Sequence, residues 1–182
     1  MIKSIGMIEL NSIAQGILVS DYILKAADTQ LIFAKPVCPG KYIVLIAGDI
    51  GAVKTSIAVG ITMGGNFVVD TFVIPSVHEQ LIPAINAAVE IGRVNAVGVM
   101  EFFSIASAVA AADQAAKTAD VRLMEVRLGM GVGGKSFVVL SGDVSAVEAA
   151  VNAGMAEAVE KGYAVSSCVI PSPSPELFYG LV

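Results

Sequence analysis

The chain is one unit written twice, and this duplication narrows the fold more than any single motif does. Ile5-Gly6-Met7-Ile8-Glu9 lies over Val97-Gly98-Val99-Met100-Glu101 at a shift of 92 residues. The register continues with Ser12-Ile13-Ala14 over Ser104-Ile105-Ala106, Asp21 over Asp113, Lys25 over Lys117 and Ala27-Asp28 over Ala119-Asp120. Farther on the shift grows to 94, where Gly40-Lys41 matches Gly134-Lys135 and Gly48-Asp49 matches Gly142-Asp143. It becomes 96 where Val73-Ile74-Pro75 matches Val169-Ile170-Pro171. The second copy therefore carries two extra residues in the loop that holds Cys38 in the first. Two units are what the length permits, and we divide the chain into domains at 1–92 and 93–182.

Each copy has the pattern strand, helix, strand, strand, helix, strand. Ile5–Leu10 forms the first strand, and Ser12 (Ser104 in the second copy) is placed to cap a helix whose apolar residues Ile13, Ile17, Leu18 and Leu24 fall near helical spacing. Leu31–Ala34 and Tyr42–Ala47 are strands joined by the turn Pro36-Val37-Cys38-Pro39-Gly40. Asp49 and Asp143 precede the second helices, where a carboxylate can accept free amides and favours the positive end of the dipole. Phe67–Ile74 closes the first unit, and 76–93 crosses to the second with a helix expected over Gln80–Ile91. The class is α+β, with helices on mostly antiparallel sheets.

Composition bounds the function. Hydrophobic residues make up 55% and charged residues 15%, below the usual quarter or so, and mean hydropathy is +0.79. No apolar run approaches the roughly 18–20 residues of a spanning helix, and the N-terminus lacks a signal-peptide layout. The expectation is a cytoplasmic chain with no membrane partner. Much apolar surface and few charges predict an obligate homo-oligomer. Net charge is −5 and pI about 4.8 with no basic run, which argues against nucleic acid. Two cysteines, Cys38 and Cys168, do not make a disulfide framework.

Several motifs mislead. Gly129-Met130-Gly131-Val132-Gly133-Gly134-Lys135-Ser136 satisfies the phosphate-loop pattern, and its glycines also satisfy GxGxxG. Both signatures require a helix directly after the glycines, whereas Phe137-Val138-Val139-Leu140 has the composition of a strand. The run is better read as a loop that lets backbones crowd at a symmetry axis. His78 is the only histidine, so histidine triads and multi-histidine metal sites within one chain are excluded. Glu9 and Glu101 recur at equivalent places, which suits a structural hydrogen-bonding role. Cys168 stands in an apolar strand and is expected to be buried. No complete catalytic constellation can be assembled, so the chain is not read as an enzyme.

Cys38 differs because prolines and a glycine stiffen its loop. One reading is an inert, half-exposed thiol. The other is a metal ligand, and then a single thiolate is not enough. A threefold homotrimer would bring three Cys38 thiols to one axis, where three thiolates repel unless a cation neutralises them. A metal cluster meets that need, with one iron left without cysteine. Lys25 and Lys117 each follow an aspartate by four residues, so they form either an i,i+4 ion pair on a solvated face or an edge contact between oligomers.

The repeated Ile5-Gly6-Met7-Ile8-Glu9, Asp21-x-x-x-Lys25-Ala26, Gly48-Asp49-Ile50 and Val73-Ile74-Pro75 resemble the bacterial microcompartment shell domain. Two copies in unpermuted order are similar to the tandem-domain shell proteins. Within that group Pro36–Lys41 and Gly131–Lys135 resemble the propanediol-utilisation type that carries a central [4Fe–4S] cluster. The resemblance implies a pseudohexameric homotrimer in a flat sheet with other shell proteins, in the shell of a cytoplasmic microcompartment. It implies a pore lined by Val37, Pro39, Gly40, Met130, Gly131, Val132 and Gly133, with Cys38 as the cluster ligand. It also implies edge contacts through Lys25 and Lys117, and a redox enzyme as electron partner on the luminal or cytosolic side. Ser76 and Ser172 stand where shell domains often have arginine. Two alternatives remain open at this point: a metal-free tile passing small metabolites, and a duplicated regulatory domain binding a small ligand.

Overall fold

A computed structural model describes residues 3–89, 95–174 and 176. The element order is β1 (Ser4–Leu10), α1 (Ile13–Ala26), β2 (Thr29–Val37), β3 (Lys41–Gly48), α2 (Ile50–Gly64), β4 (Val68–Ile74), α3 (Leu81–Ile85), β5 (Ala96–Phe102), α4 (Ile105–Thr118), β6 (Val121–Leu128), β7 (Ser136–Gly142), α5 (Val144–Glu160) and β8 (Ala164–Pro171). The expected strand and helix succession is present in both copies. The expected boundary after residue 92 lies outside the described residues.

The chain folds into two compact units whose borders do not follow the repeat. Unit 1 holds Met1–Val77 together with Ser104–Ala106 and Gly129–Gly134, and unit 2 holds the remainder. In unit 1 the strands run in the order β2-β3-β1-β4, every neighbour antiparallel. Gly6 faces Ile46 on one side and Val73 on the other. A Cβ at Gly6 would lie 2.6 Å from Ile57 and 2.7 Å from Val53, so glycine lets α2 settle directly on the central strand. Ile8, Leu10, Val19, Ile23, Tyr42, Val44, Ile46, Val53 and Ile57 form the core between sheet and helices, each large aliphatic contributing about 1.5–3 kcal/mol.

Unit 2 repeats the arrangement, order β6-β7-β5-β8, again antiparallel throughout. Its α5 packs over Gly98, where a Cβ would lie 2.7 Å from Val151 and 2.9 Å from Val147. The long crossing helix expected over Gln80–Ile91 is only a short one, Leu81–Ile85, with Gln80 at its N-cap. Gln80 instead works as a clamp: its Oε1 accepts from the Leu123 amide at 2.8 Å and its Nε2 donates to the Val121 carbonyl at 3.2 Å. The Gln80 side-chain amide thus satisfies two backbone groups of β6, which is an edge strand among the described residues.

The caps differ between helices. Ser12 accepts from the Gln15 amide at 3.4 Å, as expected. Asp49 and Asp143 occupy N-cap positions, but neither makes a side-chain capping bond. Asp143 instead accepts from Asn95 Nδ2 at 2.9 Å. Their contribution is limited to charge at the positive helix end.

Candidate functional site

Antiparallel pairing of β2 with β3 ends at Val37 opposite Lys41, which places Cys38, Pro39 and Gly40 in the turn. The Gly40 amide donates to the Val37 carbonyl at 3.0 Å, and Gly40 has φ of 103°, a conformation that side chains disfavour. The Cys38–Pro39 peptide bond is cis. Cys38 is exposed at the tip, while Val37 is buried. Of the residues expected at a pore, Val37 is thus the buried one; Pro39, Gly40, Met130, Gly131 and Gly133 are exposed and Val132 is half-buried.

The glycine-rich stretch of the second repeat belongs to the same compact unit as this turn. A Cβ on Gly134 would sit 2.8 Å from the Cys38 carbonyl oxygen and closer still to Pro39, and Gly134 has φ of +81°. Glycine is thus required at 134 on two counts, and the loop braces the cysteine turn from one side. A Cβ on Gly129 would lie 3.6 Å from the Val37 Cβ. Beyond Lys135 the chain enters β7, not a helix, and Lys135 Nζ pairs with Glu101 at 2.6 Å. The phosphate-loop pattern has no phosphate cradle here.

The second feature of unit 1 is the carboxylate of Glu9, which is fully buried on the central strand. Its Oε1 accepts from Lys41 Nζ at 2.6 Å. Its Oε2 accepts from the Ile105 amide at 2.8 Å, the Ala106 amide at 3.2 Å and the Ser104 hydroxyl at 3.2 Å. The Ser104 hydroxyl also donates to Asp70 Oδ2 at 2.6 Å. The first turn of α4 is thus held by a carboxylate from distant sequence, where otherwise unsatisfied amides and the helix dipole favour negative charge. The Glu9 role is structural, as expected, and its partners were invisible in the sequence. The signal that could have found them is the joint recurrence of Glu9 with Ser12 and Glu101 with Ser104 at one shift.

Lys25 and Asp21 form an exposed i,i+4 pair at 2.6 Å. Lys117 pairs likewise with Asp113, but that aspartate is buried and also accepts from the His78 amide at 2.7 Å. His78 is half-buried, its Nδ1 accepting from the Gln80 amide at 3.4 Å. Cys168, expected to be buried, is exposed. The reason is position: β8 is an edge strand, and Ser166, Ser167 and Cys168 form its exposed stretch. Among the described residues no group of three or more His, Cys, Asp or Glu in one chain is placed to hold a metal ion, so Cys38 could serve a metal only with ligands from elsewhere. Among the described residues no helix is long and apolar enough to cross a membrane.

The BMC domain family matches twice, over residues 4–77 and 96–173. The chain is 40% identical over 182 residues to the bacterial microcompartment shell protein PduT of Citrobacter freundii, covering 100% of this chain and 99% of that protein. The crystal structure of a microcompartment protein from Desulfitobacterium hafniense is 53% identical with a TM-score of 0.85, covering 98% of this chain and 99% of that one. A fused permuted hexameric shell protein from the RMM microcompartment shares the fold at 22% identity and TM-score 0.65, over 88% of this chain and 87% of that one. With two BMC domains and full-length similarity to PduT, the chain belongs to the BMC-domain family of bacterial microcompartment shell proteins.

Proposed function

We propose that the chain is a structural shell tile: a homotrimer of pseudo-sixfold symmetry, with an axial pore around which three Cys38 thiols hold a [4Fe–4S] cluster. The pore is then lined by Pro39, Gly40, Met130, Gly131, Val132 and Gly133. The observation that carries this reading is the placement of Cys38. Its thiol is exposed at the tip of a turn that a second loop braces, and its own chain supplies no companion ligands among the described residues. Thiolate is the donor that suits iron–sulfur clusters, so the residue present fits the group once copies converge. The full-length similarity to a shell protein supports an assembly of copies.

A cluster bound there would supply one-electron transfer at the pore. The chain's part is to hold the ligand still: Gly134 and the β2–β3 ladder fix the Cys38 backbone, and Val37 anchors the turn in the core. Lys25, with its exposed side chain, and Lys117 are then the groups through which neighbouring tiles meet in a flat sheet, and a redox enzyme is the electron partner.

Anaerobic purification followed by iron and sulfide analysis, absorption spectroscopy and mass measurement tests the proposal. The expected result is a brown trimer with about four irons, and a colourless trimer for Cys38→Ser. A trimer that stays iron-free under anaerobic preparation would leave a metal-free tile whose pore passes small metabolites. A monomer would remove the tile reading altogether.

A further inference from the structure

The contact between Glu9 and the start of α4 has a counterpart that is left open. Shifting it by the repeat turns Glu9 into Glu101 and Lys41 into Lys135, and among the described residues no helix start donates to Glu101 as the Ile105 and Ala106 amides donate to Glu9. The equivalent helix start that remains is Ser12-Ile13-Ala14.

Both halves of the missing contact are open. The Glu101–Lys135 ion pair keeps the 2.6 Å geometry of Glu9–Lys41, yet the Glu101 side chain is 34% exposed where that of Glu9 is 0%. Beside it Val99 is half-buried, whereas its counterpart Met7 is fully buried. On the other half, Ile13 is 42% and Ile17 57% exposed, while the matching Ile105 and Val109 of α4 are both 0% exposed. Among the described residues no side chain accepts from the Ile13 or Ala14 amides, and helix geometry leaves these without intrahelical partners. A second internal contact transposes the same way. The His78 amide donates to Asp113; its repeat equivalents are the Ser174 amide and Asp21, whose side chain is 56% exposed.

We propose that a second copy of this chain supplies what is missing: the Glu101 carboxylate of one copy docks on the Ile13 and Ala14 amides and the Ser12 hydroxyl of the next. Ile13 and Ile17 are covered in the same contact, and the Ser174 amide reaches Asp21. The contact is head-to-tail, so repeating it closes a ring when the rotation permits. It rests on the trimeric reading above and names the groups that seal the trimer. The inter-copy junction also differs from the internal one in charge. Asp70, which accepts from Ser104, lies opposite Glu9; the residue opposite Glu101 is Ser166. Glu101 is therefore the sole carboxylate presented to the next copy's helix start at these positions.

The test combines dilution with cross-linking. Mass photometry over a concentration series should show Glu101→Ala assemblies dissociating at a concentration at least about tenfold higher than wild type, the scale of a charge-assisted bond. Glu148→Ala, an exposed change on α5, should leave the midpoint unchanged. In a Cys38→Ser, Cys168→Ser background, a short bismaleimide should convert the Ile17→Cys, Val99→Cys double variant, which keeps Ser12 and Glu101, into covalent trimers on a denaturing gel, and neither single variant into more than monomer. If wild type is trimeric, either an unchanged Glu101→Ala midpoint or the absence of covalent species from the double variant overturns this docking and leaves the tile standing. Wild type that is monomeric at every concentration overturns the tile reading itself.

Discussion

The Glu9 carboxylate lies 2.8 Å from the Ile105 amide, 96 residues away in sequence. This single approach joins the central strand of the first repeat to the first helix of the second. It is buried, charged on the acceptor side and balanced by Lys41. Such a bond is worth more than a surface ion pair because truncating it leaves desolvated partners behind.

Glu9→Ala should therefore destabilise the fold by about 3 kcal/mol, at the lower end of the range for breaking a buried pair, since Lys41 keeps some access to solvent. Glu9→Gln, which retains an acceptor, should cost less. Urea unfolding of the two variants beside wild type checks both the sign and the order.

Gly134→Ala should cost more than Gly131→Ala. Both glycines have positive φ, but only Gly134 would also drive a Cβ into Pro39 and the Cys38 carbonyl; Gly131 faces open space. Left-handed backbone alone costs a non-glycine residue about 1–2 kcal/mol, and the Gly134 variant adds the displacement of the turn. Thermal unfolding ranks the pair, and the rate of Cys38 alkylation should change only in the Gly134 variant.

The two cysteines should separate by function although both are exposed. Cys168→Ser is expected to retain iron and sulfide at the wild-type level, and Cys38→Ser to lose them. Metal analysis of anaerobically prepared variants decides. Loss of iron in the Cys168 variant would point to a ligand set not centred on the turn.

The paired lysines should likewise behave differently. Lys25→Ala removes an exposed helix-surface pair and should change stability by no more than about 0.5 kcal/mol. Lys117→Ala removes the partner of a buried aspartate and should cost about 1–3 kcal/mol, offset in part by the His78 amide that Asp113 keeps. Denaturation curves measure this. Sheet formation under the electron microscope is expected to fail in the double variant.

Local pattern and repetition carried most of the fold. Ile5–Leu10 and Tyr42–Ala47 could be recognised as strands because their apolar runs are short and bounded by turn residues, and Ser12 as a cap from its place before Ile13. Duplication then supplied the second half. The failures share a cause: they depend on neighbours that sequence distance hides. Asp49 and Asp143 have the right identity and position for capping, but neither carboxylate makes a capping bond to its own helix, and Asp143 takes the Asn95 side chain instead. Cys168 lies in an apolar-looking strand, and only the strand order shows that strand to be an edge. The helix expected over Gln80–Ile91 stops early, and Gln80 turns its amide to β6 instead. At the candidate site, the position of Cys38 in a turn between two strands was legible from its flanking prolines and glycine. The burial of Val37 and the bracing by Gly134 were not, since each follows from packing between segments nearly a hundred residues apart.

The seating of Gly134 on Pro39 ties two loops of different repeats into one inheritance. A side chain at 134 demands a smaller or shifted partner at 39, so across relatives the two positions are expected to change together. Replacing one of the two loops alone is then expected to destabilise the turn, and exchanging both as a cassette to preserve it.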